Sequence, residues 1–246
     1  DDIKRHSGSA AKPLFDYGPL IEYNNASTYG YNDNGNYKVF VDEPYSYTNG
    51  KSINNWDGTF MGAITMRKAL SLSRNIPALK AFQQVDNKKI IEFVQNLGIE
   101  PEIENGKIHE AHSLGAFTGV NSLQMAAAYA AFSNGGYYNE PYSVSKVVFR
   151  DTGEEKKHEG TKKQAMSDAT AYMITSILDD TTLIGTGNMD KIAMKTGTTN
   201  FDQKTRQTLG MSDDAIRDSW VIGYTTKTVI GMWYGYKDTS KNLVNQ

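Results

Sequence analysis

Two thirds of the way along the chain the hydrophobic period changes, and that change restricts the available folds more than any other feature. Up to about residue 180, the apolar residues that recur do so at helical spacing. In Ile192-Ala193-Met194-Lys195, residues 220–224 (Trp-Val-Ile-Gly-Tyr) and residues 229–234 (Val-Ile-Gly-Met-Trp-Tyr) they read as strands, the last two joined as an antiparallel hairpin by residues 225–228. Helices first and strands last predict an α+β fold, an antiparallel sheet flanked by helices in segregated layers.

Within the helical part, Ser9 stands near the N-cap of a helix start with Pro13 in its first turn, and Pro19 is expected to end or kink that helix. Residues 22–57, rich in Asn, Tyr and Gly, read as a long ordered loop with one or two short strands. Helices are predicted over 65–72, 77–84 and 87–97, the first interrupted by Ser73-Arg74-Asn75 and the last closed by Gly98. Residues 121–133 form a central helix with a small-residue face of Leu123, Ala126, Ala127, Ala130 and Ala131, stopped by Asn134-Gly135-Gly136. Residues 142–150 and a Thr152-Gly153 turn suggest a hairpin, and Ser167 caps a further helix. At 246 residues without internal repeat or linker, the chain reads as one domain, 1–246.

Composition narrows the function classes. A net charge of −2 gives no general attraction for nucleic acid or anionic membranes. The absence of cysteine excludes disulfides and thiolate chemistry, and suits a protein working outside the cytoplasm. No run approaches the ~20 apolar residues of a membrane span and residues 1–6 lack a signal-peptide pattern, so the chain is expected to be a piece of a longer protein.

Three short motifs carry the chemistry: Ser9-x-x-Lys12, Ser73-Arg74-Asn75 and Lys195-Thr196-Gly197. Ser-x-x-Lys occurs again at Ser143/Lys146, and Ser-x-Asn at Ser52/Asn54 and Ser240/Asn242, so only the third motif is unique. Geometry separates the first pair from its decoy. Ser9 and Lys12 lie three apart on one face of a helix start, whereas Ser143 and Lys146 on a strand point to opposite faces. A serine hydroxyl needs a base, and a lysine one turn away serves if burial or a neighbouring cation depresses its pKa. The helix start offers N–H groups to a developing oxyanion. Lys195-Thr196-Gly197-Thr198 on an edge strand offers a cation, two hydroxyls and a glycine that lets a substrate backbone approach, which suits an extended peptide ending in a carboxylate.

With these motifs, the chain resembles the transpeptidase domain of class A, bifunctional penicillin-binding proteins, most of all those of Gram-positive cocci. The resemblance also rests on Gly8, Lys12-Pro13, Asn55-Trp56-Asp57, residues 69–78 and 124–136, Gly185-Thr186-Gly187, Asp218-Ser219-Trp220 and Gly223-Tyr224-Thr225. It implies the penicillin-binding/β-lactamase-like serine transpeptidase fold and an enzyme that cross-links peptidoglycan stem peptides ending in D-Ala-D-Ala, covalently inhibited by β-lactams. It further implies that Ser9 is acylated, Lys12 is the acylation base and Ser73 relays the proton to the leaving D-Ala. Asn75 would hold the substrate amide, Lys195 would set the electrostatics, and Thr196 and Thr198 would bind the substrate carboxylate. Backbone N–H groups of Ser9 and Thr198 would form the oxyanion hole. No cofactor or metal is implied. An attached glycosyltransferase domain, partners in the cell-wall synthesis and division machinery, and an extracytoplasmic site anchored through a membrane segment outside this chain are. Ala10 and Ala11 stand where the family often has Thr and Met, an expected change of packing. The family's sheet begins with strands upstream of the nucleophile; this chain starts eight residues before Ser9, so those strands are expected to be missing and to leave an unpaired sheet edge.

Other features read as structure. His6, His109, His112 and His158 lack metal spacing beyond His109/His112 and are expected to be solvated loop residues. Residues 100–105, Glu-Pro-Glu-Ile-Glu-Asn, resemble the loop that carries the deacylating glutamate of class A β-lactamases, but with the asparagine one place late, and read as an acidic surface turn. A hydrolytic cousin (carboxypeptidase or β-lactamase) and a β-lactam sensor are the alternative functions.

Overall fold

The computed structural model describes residues 3–24, 39–117, 119–179, 192–238 and 240–243. Its centre is a continuous helical rod over residues 8–23 whose winding changes twice. A 3-10 turn, Gly8–Ala11, runs through Lys12 into a π segment, Pro13–Tyr17, and then into α1, Gly18–Tyr23. Pro19 does not end the rod. It falls in the first turn of α1, where the missing N–H is tolerated because the hydrogen-bond register has just shifted, the Gly18 N–H reaching back to the Pro13 carbonyl. Leu14, Phe15, Leu20 and Ile21 are buried, each contributing roughly 1.5–3 kcal/mol by leaving water.

Short strands follow: β1 (Phe40–Asp42), β2 (Tyr45–Ser46), β3 (Ser52–Ile53) and β4 (Gly62–Ile64), paired β1 with β4 and β2 with β3. With β1, β2 and β3, this exceeds the one or two strands expected between residues 22 and 57, of which residues 25–38 lie outside the described residues. Then come α2 (Met66–Ser71), α3 (Asn75–Gln83) and α4 (Asn87–Asn96), close to their predicted bounds, with Thr65 and Asp86 as side-chain caps. α5 (Ser122–Ser133) opens on a capping box between Asn121 and Gln124. It is central, but its buried side chains are Met125, Ala127, Ala128, Tyr129, Ala131 and Phe132, and Leu123 is exposed. A helix covered on most sides loses the one-sided period from which the predicted face was read.

The hairpin of β6 (Lys146–Val148) and β7 (Glu155–Lys157) lies between β5 (Tyr137–Asn139) and β8 (Lys162–Gln164), which also pair. α6 (Asp168–Leu178) is capped by Ser167 as expected. The sheet predicted from the period-2 segments comprises β9 (Ala193–Asn200), β10 (Ile216–Tyr224) and β11 (Val229–Gly235), with α7 (Gln203–Leu209) between β9 and β10. It is antiparallel in the order β11-β10-β9, placing β9 at one edge, as the motif reading required. Trp220, Ile222 and Tyr224 point into the helical core. Among the described residues β11 pairs only with β10. Gly185-Thr186-Gly187 lies outside the described residues.

Candidate active site

The rod meets the sheet backbone to backbone. A Cβ at Gly197 would overlap the Ser7 carbonyl oxygen and lie 3.0 Å from the Ala10 nitrogen, while one at Gly8 would lie 2.5 Å from the Thr198 oxygen. Gly197 therefore makes room for the turn that carries Ser9, not for a substrate backbone as its motif suggested. The Tyr129 hydroxyl, from α5, donates to the Ala10 carbonyl at 2.8 Å and holds the turn from the other side. Ala10 and Ala11 are both fully buried in this packing.

Ser9 is half-buried and Lys12, one turn on, is fully buried. Lys12 Nζ donates to the Ser73 carbonyl at 2.5 Å and to Asn75 Oδ1 at 2.7 Å, and lies 3.2 Å from Ser73 Oγ. Lys195 Nζ reaches the same Oγ at 2.9 Å and the Thr196 carbonyl at 3.0 Å. One hydroxyl thus lies between two buried amines. Among the described residues no hydrogen bond joins Ser9 Oγ to Lys12 Nζ; the lysine is engaged by the Ser73-Arg74-Asn75 motif instead. Burial, and then the Lys195 charge, hold the Lys12 ammonium well below the usual lysine range, with Arg74 adding to and Asp16 opposing the effect. Burial brings Lys195 down to about 7. At neutral pH such a pair readily presents a neutral amine, which can accept a proton.

The middle motif is placed by the end of α2. Arg74 N–H donates to the Ala69 carbonyl at 2.9 Å and Ser73 N–H to that of Leu70 at 3.0 Å, the two bonds of a Schellman stop. Ser73 occupies the left-handed position, φ 55°, where glycine is usual, at a cost of roughly 1–2 kcal/mol. Asn75 N–H donates to Asn55 Oδ1 at 2.8 Å and its Nδ2 to the Asn54 carbonyl at 2.8 Å, leaving the second amide hydrogen for a ligand.

Ser9, Ser73, Asn75, Thr196 and Thr198 line one cleft of about 590 Å³, joined by Trp56, Leu72, Leu114 and Asn200. Thr198 is exposed on the edge strand, and the neighbouring Thr199 hydroxyl donates to the buried Asp218 at 2.7 Å, fixing the strand end. The three motifs are therefore brought together. The decoys are not: Ser143 is exposed, and Lys146 pairs with Glu155 on the surface at 2.8 Å.

Two sets of residues escaped the sequence reading. Arg74, Asp42 and Asn55 form a buried network behind the motif, to which only the Asn55-Trp56-Asp57 stretch was a pointer. Asp16, fully buried in the rod, has its carboxyl pushed well up by burial against the opposing pull of Lys12. Nor are the histidines uniformly solvated. His112 is buried, stacked on Phe117 at 5.3 Å, because its 3-10 turn, Glu110–Leu114, folds inward; His6 is half-buried, while His109 and His158 are exposed. Among the described residues no three His, Cys, Asp or Glu side chains could hold a metal ion. Glu100 is exposed, accepts from Gln95 at 3.0 Å and does not line the cleft.

Residues 29–234 match the family model of the penicillin-binding protein transpeptidase domain. Among curated proteins, the chain is 42% identical over 240 residues to penicillin-binding protein 1A/1B of Bacillus subtilis, covering 94% of this chain and 25% of that protein. It is 34% identical over 261 residues to penicillin-binding protein 1A of Streptococcus pneumoniae, covering 99% and 34%. The chain thus spans about a quarter to a third of the length of these relatives. Among solved structures, penicillin-binding protein PonA1 of Mycobacterium tuberculosis aligns with a TM-score of 0.80 at 22% identity, over 99% of this chain and 63% of that one. The same protein has been solved in complex with penicillin V.

Proposed function

Since the chain belongs to the penicillin-binding protein transpeptidase domain family, we propose that it is an acyl-serine DD-transpeptidase in which Ser9 attacks a D-Ala-D-Ala stem peptide. The observation that carries this reading is the placement of Ser73 Oγ between Lys12 and Lys195 at the wall of the cleft that Ser9 lines. In the first half-reaction Ser9 Oγ bonds to the penultimate carbonyl carbon and its proton passes to neutral Lys12. Backbone N–H groups of Ser9 and Thr198 take the oxyanion, each such donor contributing about 10²–10³ in rate. The C–N bond then breaks, and the proton travels from Lys12 through Ser73 to the departing D-Ala amine, leaving an ester on Ser9. An acceptor amine attacks the ester, gives up a proton by the reverse relay and regenerates Ser9.

Thr196, Thr198 and the field of Lys195 hold the substrate's terminal carboxylate, and the free amide hydrogen of Asn75 holds its backbone. A β-lactam follows the first half-reaction, but its leaving nitrogen stays tethered and bars the acceptor, so the enzyme is trapped. No cofactor enters this scheme. The protein as a whole works on the outer side of a bacterial membrane with a glycosyltransferase partner domain and the cell-wall synthesis machinery, by analogy with its class A relatives.

The test is a stem peptide ending in D-Ala-D-Ala supplied with an acceptor amine. D-Ala release matched by cross-linked product supports transfer. Release matched only by the shortened free acid would make the protein a carboxypeptidase, and acylation by β-lactams with no peptide turnover would make it a sensor.

A further inference from the structure

We infer that Arg74 is a positioning residue that, through Asp42, Asp57 and Asn55, holds Ser73 and Asn75 in register with Lys12. The inference rests on the acyl-transfer reading above and goes beyond it. Arg74 lies between the two motif residues, yet its side chain turns away from the cleft and is 2% exposed. Nε donates to Asp42 Oδ2 at 2.9 Å, one terminal nitrogen to Asp57 Oδ2 at 2.8 Å and the other to the Thr59 carbonyl. Asp42, itself fully buried, accepts at its second oxygen from Asn55 Nδ2 at 2.7 Å, and Asn55 Oδ1 accepts the Asn75 N–H at 2.8 Å. One chain of hydrogen bonds, charge-assisted at Asp42, thus runs from Arg74 back to the backbone of Asn75.

This anchorage explains how Ser73 can sit in a left-handed conformation that a serine does not favour. The residues on either side are tied down, Arg74 by its three-armed fork and Leu72 by the helix stop. With φ at 55°, the Ser73 carbonyl points at Lys12 and its hydroxyl at both amines. Relaxation toward an ordinary backbone conformation would turn the carbonyl away and dissolve the relay. A lysine at position 74 presents one compact ammonium in place of the planar guanidinium fork and cannot reproduce its separate arms to Asp42, Asp57 and Thr59.

Arg74 also acts through charge. The groups facing Lys12 are Asp16 from its own rod, Lys195 from β9 and Arg74 from the start of α3; the two cations favour a neutral Lys12 and Asp16 opposes them. Loss of the Arg74 cation should therefore raise the pH needed to deprotonate Lys12, an effect that a merely structural residue would not produce.

The experiment uses the intact protein and measures second-order acylation by a fluorescent penicillin from pH 5.5 to 9, with Ser9→Ala as a blank. Arg74→Gln is expected to slow acylation by roughly a hundredfold and to move the acid limb upward, whereas Arg74→Lys slows it by roughly tenfold with the limb in place. Wild-type rates in Arg74→Gln, or slowing with no displacement of the limb, overturn the inference. If Arg74→Gln does not fold, Asp57→Asn decides, because Asp57 is partly exposed and its neutralisation leaves the buried Arg74 still paired with Asp42. A few-fold loss of acylation at an unchanged melting temperature supports the inference, and a wild-type rate refutes it. A wild-type protein that takes no label overturns both this inference and the function on which it rests, whereas labelled wild type beside unaffected Arg74 variants overturns this one alone.

Discussion

Lys12 and Ser73 are joined twice, the lysine Nζ lying 2.5 Å from the serine carbonyl oxygen and 3.2 Å from its hydroxyl, and the first contact exists because Ser73 is left-handed. The two contacts separate experimentally. Ser73→Gly removes the hydroxyl and relieves the backbone, whereas Ser73→Ala removes the hydroxyl and keeps the strain. Both variants should lose D-Ala release to the same degree. The glycine variant should nevertheless be more stable than the alanine variant by about 1 kcal/mol, a melting difference of roughly 2–4 °C for a domain of this size. Equal melting temperatures would mean that the left-handed turn carries no strain.

The depressed lysines make stability depend on pH with a definite sign. Lys195 keeps its proton in the unfolded chain up to about 10.5 but loses it in the folded protein near 7, so between these values the unfolded state binds more protons. Stability must then rise with pH across that window, and Lys12 acts in the same direction. Melting temperature should climb from pH 7 towards pH 9, and Lys195→Met should flatten the climb. A slope that survives the substitution unchanged would place the titration elsewhere.

Gly197→Ala tests whether the motif glycine serves the enzyme or its substrate. A methyl group there meets the Ser7 carbonyl and the Ala10 backbone, so the Ser9 turn must shift. Acylation should fall by about 10² or more, with small and large β-lactams affected alike, since misplacement of the reacting atom is the cause. A defect confined to bulky substrates would restore the reading in which the glycine faces the ligand.

That glycine shows where the sequence stops being informative. A unique Lys-Thr-Gly on a segment that reads as a strand was enough to place Lys195 and Thr198 on β9, because a short run of strand-forming residues is a local signal. The position of β9 at the sheet edge is set instead by its pairing with β10. What presses against Gly197 depends on how a distant segment, the turn from Ser7 to Ala10, docks, which no local pattern encodes. Arg74 is illegible for the same reason, its partners Asp42 and Asp57 lying 32 and 17 residues upstream among short strands and turns. The helix at 121–133 was legible through its cap and length, but its buried face was not, since Met125 and Ala127 are buried along with Ala128. Pro19 was misjudged because a π segment, invisible to the usual 3.6 period, precedes it.

The acyl-enzyme formed with penicillin should be long-lived. Hydrolysis needs a base beside the ester to activate water, and Glu100, the only sequence look-alike, is exposed and away from the cleft. The adduct should persist for many minutes after free drug is removed, and Glu100→Gln should not change its lifetime. Loss within seconds, with penicilloate accumulating, would identify a hydrolase.

Ser9 is the residue that acylation should modify. Intact-mass spectrometry after exposure to penicillin should find a single added penicilloyl group, and peptide mapping should place it on Ser9. The adduct should vanish in Ser9→Ala and remain in Ser143→Ala, whose serine is exposed and does not line the cleft. An adduct that persists in Ser9→Ala would contradict the account.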